Sequence, residues 1–362
     1  MPKDKRFLWM GLGLAAVAVR WMLGLRPDWA ERYYANGLFS GIRGVFDNTS
    51  GLLPFPSTYI LFFVLISLLA NRLLKKDHQK RSFRQRARSL LKSAAAFLGG
   101  TVFLFLLLWG FNYARPDLEN RLGLDIQPLP LESLRAALES RAAQLAASRN
   151  ALLPDSAQIN AGLLPKAMED KLRQAVEKAL SGLGIPPMGR VRGRELKPKG
   201  ILLRFSASGV YNPFVGEGNV DAGLHPIQKP FTMAHEMAHG YGITDEGDCN
   251  FVAYLACANS EDAAIRYSGQ LAYWRYLASS YLFYEPEKYA AFRKELPKGI
   301  RSDLDAINLN GQKYPDIFPA ARDLAYDAYL RAQGISEGMG SYGRIVYLVD
   351  AWERKSKSEQ RH

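Results

Sequence analysis

The chain has 362 residues, of which 48% are hydrophobic and 23% charged, and its formal net charge is +12 at pH 7. Its two cysteines, Cys249 and Cys257, provide no disulfide framework. The positive charge is concentrated in one short stretch and, to a smaller extent, the N-terminus, and the remainder is nearly neutral, which argues against nucleic acid as a partner.

Three apolar stretches occupy the first third, at about residues 7–25, 52–74 and 93–111, each near the roughly 20 residues that carry a helix across a bilayer. The first follows Lys3, Lys5 and Arg6 and could be a signal peptide. No small-x-small cleavage site precedes Arg26, so an uncleaved span is expected. The second holds Pro54 and Pro56 near its start, which leaves STYILFFVLISLLANRLL as its core. The third, ending GGTVFLFLLLWGF, is the clearest. Residues 1–112 are therefore expected to be a transmembrane region with three spans.

Between the second and third stretches runs RLLKKDHQKRSFRQRARSLLK, in which basic residues face Asp77 alone. A short basic loop beside membrane spans marks the cytoplasmic side, with anionic headgroups as counterions. Three crossings then place the N-terminus inside and everything after Phe111 outside, in a plasma or inner membrane.

After the third stretch, residues 113–130 are rich in turn formers and are expected to form a linker. LESLRAALESRAAQLAASRN and PKAMEDKLRQAVEKALSGLG space their apolar residues three to four apart and predict a helical hairpin, with Gly182 and Gly184 ending its second arm. ILLRFSAS and GVYNPFVGEGNV alternate and favour strand, predicting a small antiparallel sheet. From Phe231 onward the pattern is again helical. The expected fold is α+β but mostly helical, with residues 131–362 forming one domain. No internal repeat is present.

The chemistry is concentrated in HEMAHGYGITDEGDCN, His235 to Asn250. His235 and His239 lie four apart, so on a helix both imidazoles face one way and can share a Zn²⁺ ion, while Glu236 can act as general base on metal-activated water. Phe231, Met233, Ala234, Met237 and Ala238 make that helix a buried one, where charged and polar groups need partners. The chain has five histidines in all, which makes chance placement of this pair a poor explanation.

A third protein ligand is required. In one arrangement Gly242 turns the chain and Asp245 binds. In the other Glu246 binds from the next helix, with Asn250 one turn later to hydrogen bond a ligand. Spacing favours Glu246 and leaves Asp245 as the alternative, with Asp248 expected to be a solvated or capping acid. If both cysteines share a helix, they lie about 12 Å apart and cannot pair, so they are expected to be packing residues.

NYARP, GVYNPFVGEGNV, PFTMAHEMAHGYGI, NFVAYLAC and SYGRIVYLV occur in an order that resembles a bacterial membrane family catalogued as a domain of unknown function, number 3810. That resemblance implies a zincin-type peptidase with its ligand glutamate at Glu246 and an asparagine at Asn250. This chain departs from the family pattern at Asp248, where glutamate is common, and at Cys249, where alanine is common; neither is a proposed ligand.

Zincins lay substrate along an edge strand before the signature helix, and GVYNPFVGEGNVD is placed to be that edge, although Asn212, Glu217 and Asn219 equally suit turns. Tyr342 or Arg344 could return from the last helical region as an oxyanion donor. His225 is expected to be a loop residue. The expected function is membrane-anchored, zinc-dependent hydrolysis of peptide or protein substrates. The competing class is a non-catalytic membrane binding or scaffold protein derived from a zincin. An intramembrane protease is disfavoured because Gly240, Thr244, Asp245, Glu246 and Asp248 surround the motif.

Overall fold

The computed structural model describes residues 4–74, 82–332, 340 and 343–360. The chain divides into two compact units. One comprises Met1–Pro116 with Asn212–Glu217, and the other Asp117–Tyr211 with Gly218–His362.

The first unit is built on α1 (Lys5–Leu25), α2 (Ser40–Asp47), α3 (Thr58–Leu74) and α4 (Phe83–Leu108). Three membrane-length helices were expected, and among the described residues there are two, α1 and α4. With 17 described residues α3 is the shorter apolar helix, and it ends where the described residues stop. Pro54 and Pro56 explain its late start, because a proline disfavours helical backbone in the residue before it. Residues 75–81 of the basic stretch lie outside the described residues. The rest is not a loop, since Arg84, Arg86 and Arg88 occupy the first turns of α4, behind a Ser82–Gln85 capping box.

Helices α1 and α4 run parallel. Arg6 near the start of α1 donates to Ser89 Oγ at 3.1 Å, and Arg20 near its end donates to the Tyr113 carbonyl at 2.9 Å. Midway, a Cβ on Gly13 would come within 2.6 Å of the Gly99 backbone, so glycines set the close approach of the two helices. Elsewhere in this unit Arg43 donates to the Gly216 carbonyl at 2.6 Å, and the Thr58 amide donates to Glu217 Oε1 at 3.1 Å.

The second unit contains α5 (Leu131–Leu152), α6 (Met168–Gly182), β1 (Arg192–Leu196), β2 (Gly209–Asn212), β3 (Glu217–Asp221), α7 (Lys229–Gly240), α8 (Glu246–Ala258), α9 (Ala263–Tyr284), α10 (Pro286–Glu295), α11 (Lys298–Gln312), α12 (Pro319–Ala332) and α13 (Ile345–Glu359). Residues 212–217 of its hairpin cluster with the first unit. The core is centred on α8, which is buried along nearly its whole length, with Cys249, Phe251, Val252, Ala253 and Cys257 fully buried. Around it pack α6, α7, α9 and α13. The predicted helices α5 and α6 exist, but not as a hairpin: α5 lies against α9, where the Trp274 indole donates to the Leu138 carbonyl at 3.2 Å, and α6 packs on α7 and α8.

The sheet order is β1-β3-β2. The antiparallel sheet expected from the sequence is instead mixed. β2 and β3 form a hairpin, while β1 is joined to β3 by a bond from the Ala222 amide to the Leu196 carbonyl at 2.9 Å. ILLRFSAS supplies no strand. The Asp221 carboxylate accepts from the amides of Gly200 (2.8 Å), Leu202 (2.7 Å) and Leu203 (3.1 Å), and so holds that segment in a turn in place of a ladder.

A buried ionic cluster ties α5 to α9 and α11. Arg149 Nε lies 3.1 Å from Asp303 Oδ2, Tyr267 donates to the same oxygen at 2.7 Å, and the guanidinium also reaches the carbonyls of Leu153, Pro154 and Ala157. Arg149→Ala leaves Asp303 buried without its counter-charge. We expect it to cost about 3–5 kcal/mol, seen as a lowered unfolding midpoint in urea.

Candidate metal centre

Two helices and one turn build the site. Helix α7 begins with Pro230 in its first turn and ends at Gly240. Gly242 then adopts φ +85°, a conformation that favours glycine, and reverses the chain. Helix α8 follows at once, with Asp245 as N-cap accepting from the Asp248 amide at 3.0 Å. The first side chain of α8, Glu246, is thereby placed beside the two histidines of α7.

The three groups converge. His235 Nε2 is 3.0 Å from Glu246 Oε2, His239 Nε2 is 3.3 Å from the same oxygen, and the two Nε2 atoms are 3.1 Å apart. Among the described residues this is the group of histidine, cysteine and acidic side chains that could hold a metal ion. With ligand bonds of 2.0–2.1 Å, the edge of a tetrahedral zinc shell is about 3.3 Å, close to these separations.

The protonation of the imidazoles shows why a cation fits. His239 Nδ1 lies 3.0 Å from the Ile243 carbonyl, which can only accept, so in the neutral ring the proton is on Nδ1 and the lone pair on Nε2. His235 Nδ1 lies 2.9 Å from Asn250 Oδ1. The Asn250 amide also hydrogen bonds Tyr276, which turns its oxygen toward the imidazole. Two nitrogen lone pairs and a carboxylate oxygen thus point at one spot, where they repel each other unless a positive charge lies between them. Burial works against charging either group, but Cys249 and Glu246 raise the His239 imidazole well above its usual range, and the His239 cation, with His235, holds the Glu246 carboxyl well below its own, so a proton supplies the positive charge that a metal ion would replace.

Glu236 faces the sheet. A Cβ on Gly209 would lie 2.6 Å from Glu236 Oε1, and one on Gly218 would lie 2.6 Å from Glu236 Cβ, so the carboxylate rests against the start of β2. The Tyr211 amide hydrogen bonds it. Burial pushes its pKa up to about 7, against the pull of both imidazoles.

Asp245 does not join the cluster. Besides capping α8, it lies 3.3 Å from Arg344 Nη1, and Arg344 Nη2 donates to Glu119 Oε2 at 2.5 Å. Arg344 is therefore a partner of Asp245 and Glu119. Tyr342 lies outside the described residues. Asp248 is neither solvated nor the cap: it is 4% exposed and accepts from the Leu118 amide at 3.1 Å, and burial raises its pKa to about 8. Both cysteines lie on α8 as free thiols, with Cys249 Sγ 3.2 Å from His239 Nδ1. The His225 carbonyl accepts from Gln228 in the turn before α7.

One contributor was not anticipated from the sequence. The Tyr326 hydroxyl on α12 donates to Glu246 Oε1 at 2.7 Å, leaving Oε2 for the imidazoles. Nothing in the local sequence YDAYL marks it, because its partner is 80 residues away. Tyr326→Phe should weaken zinc binding by roughly 10- to 100-fold, the usual effect of losing a group that orients a ligand. Competition with a chromophoric chelator reads this directly; unchanged affinity means that the phenol does not orient Glu246.

A profile of the family described as protein of unknown function (DUF3810) matches residues 34–349. No curated protein and no solved structure matches the chain.

Proposed function

The chain belongs to that family, and from this premise we propose that it is a membrane-anchored zinc metallopeptidase with a HExxH…E ligand set. The observation that carries the proposal is the convergence of His235, His239 and Glu246 on one point, with Glu236 buried beside them against β2. Bound zinc would supply Lewis acidity toward a water and a peptide carbonyl. Glu236, with its carboxyl near neutrality, is suited to take the proton from the attacking water and return it to the leaving amine. Asn250 and Ile243 hold the imidazoles in the binding tautomer, Tyr326 turns Glu246, and β2 at the sheet edge offers main-chain groups to an extended peptide.

The basic start of the apolar helix α4 supports an extracytoplasmic site. Both helices are long and apolar enough to cross a membrane, and both begin beside basic residues, Lys3, Lys5 and Arg6 for one and Lys80 to Arg88 for the other. The positive-inside rule puts the basic start of α4 in the cytoplasm, so the chain after Leu108 emerges on the opposite side. A non-catalytic scaffold would have no need of both the base and a complete ligand set.

The experiment is incubation of the purified full chain with a defined peptide mixture, read by mass spectrometry with and without a chelator. New termini that vanish with the chelator and return with zinc are expected. A chain that carries no zinc and cuts no peptide overturns the proposal.

A further inference from the structure

We propose that the same site selects an extended substrate segment rich in apolar side chains, gripped between β2 and the approach to α12. This rests on the peptidase reading above and adds the substrate class.

Two segments of the second unit bracket the metal centre. One leads into β2, whose Gly209 touches the Glu236 carboxylate; the other leads into α12, whose Tyr326 touches Glu246. They are fastened together upstream of the site, where the Ile317 amide donates to the Arg204 carbonyl at 3.0 Å and the Ser206 hydroxyl donates to Asp316 at 2.6 Å. Both present large apolar side chains to solvent: Phe205 and Val210 on the first, Ile317 and Phe318 on the second, with Phe318 64% exposed. Phe318 is eight residues before Tyr326, about 12 Å along a helix, and Phe205 is four residues before Gly209, at most about 14 Å of extended chain. All four therefore lie within a short peptide's length of the proposed catalytic group.

An exposed apolar cluster is costly to leave in water and marks a binding surface when it is continuous with a functional site. Here it adjoins an edge strand. A peptide that pairs with β2 places alternate side chains on one face, and apolar ones would cover Val210 and the exposed Phe205 and Phe318.

The test uses the zinc-loaded full-length Glu236→Gln variant in nanodiscs, which binds without cutting. Two labelled nonapeptides are compared by fluorescence anisotropy, one with valine or leucine at alternate positions and one with serine at those positions. The apolar peptide should bind at least tenfold more tightly, given the free energy of burying even one such side chain. Phe205→Ser and Phe318→Ser should each remove about tenfold of that affinity with zinc content unchanged, while Phe283→Ser, an exposed residue at the far end of α9, should remove none. Equal affinity for the two peptides overturns the proposal. So does quenching of a probe at Phe318→Cys by brominated nanodisc lipid without peptide discrimination, which assigns the cluster to the bilayer. If the wild type discriminates between the peptides but cleaves neither, the peptidase reading fails and the apolar site stands; cleavage without discrimination gives the reverse.

Discussion

Glu236→Gln should lower peptide hydrolysis by roughly 10²- to 10⁴-fold, the usual worth of a positioned general base, while the purified chain keeps its zinc. The two effects separate because Glu236 lies outside the ligand cluster, with its carboxylate turned toward Gly209 and the Tyr211 amide. Glutamine has the same shape and fills the same space, so neither α7 nor the two glycine contacts need move. It cannot accept a proton. Zinc content by elemental analysis and turnover on one peptide decide the matter together. Zinc retained with full activity removes Glu236 from the chemistry, and zinc lost makes it part of the metal shell.

The second large effect concerns the ligands. His239→Ala and Glu246→Ala should each abolish zinc binding, whereas Asp245→Asn should keep it. Zinc that binds only the folded chain stabilises it by RT ln(1 + [Zn]/Kd), about 4 kcal/mol at a thousandfold excess over Kd. For a unit of this size that is a rise of roughly 10 °C in the melting temperature. Wild type and Asp245→Asn should both show the rise on adding zinc, the latter from a baseline lowered by loss of the Arg344 ion pair alone, since asparagine caps a helix about as well as aspartate. The two ligand variants should show none. A rise that disappears in Asp245→Asn and persists in Glu246→Ala reverses the assignment.

The parts of the site that were legible in the sequence are those fixed by local geometry. Residues four apart on a helix share a face whatever surrounds them, so His235 and His239 were legible as a pair, and Glu236 with them. Glu246 was favoured by spacing, with Asp245 left as the alternative. The choice depends on where the chain reverses, and the positive φ of Gly242, with Asp245 spent on capping α8, brings Glu246 forward. Asp248 was misread because acidity suggests solvent, while the Leu118 amide that holds it is 130 residues away.

The same division runs through the fold. Apolar periodicity suffices for α5, α6, α7 and α8, since a helix closes its own hydrogen bonds within four residues. Strands need partners, and alternation in ILLRFSAS could not reveal that Asp221 would capture its amides and leave RGREL to pair with β3. Hydropathy marked three apolar stretches, yet helix length depends on where the backbone can turn, and among the described residues two reach membrane length. By itself, then, the sequence determined the histidine pair, its glutamate and the helices that carry them, because each is written in contacts a few residues apart. Only the tertiary structure decided the third convergent group, the Tyr326 contact and the pairing of the strands, because each joins residues that packing alone brings together.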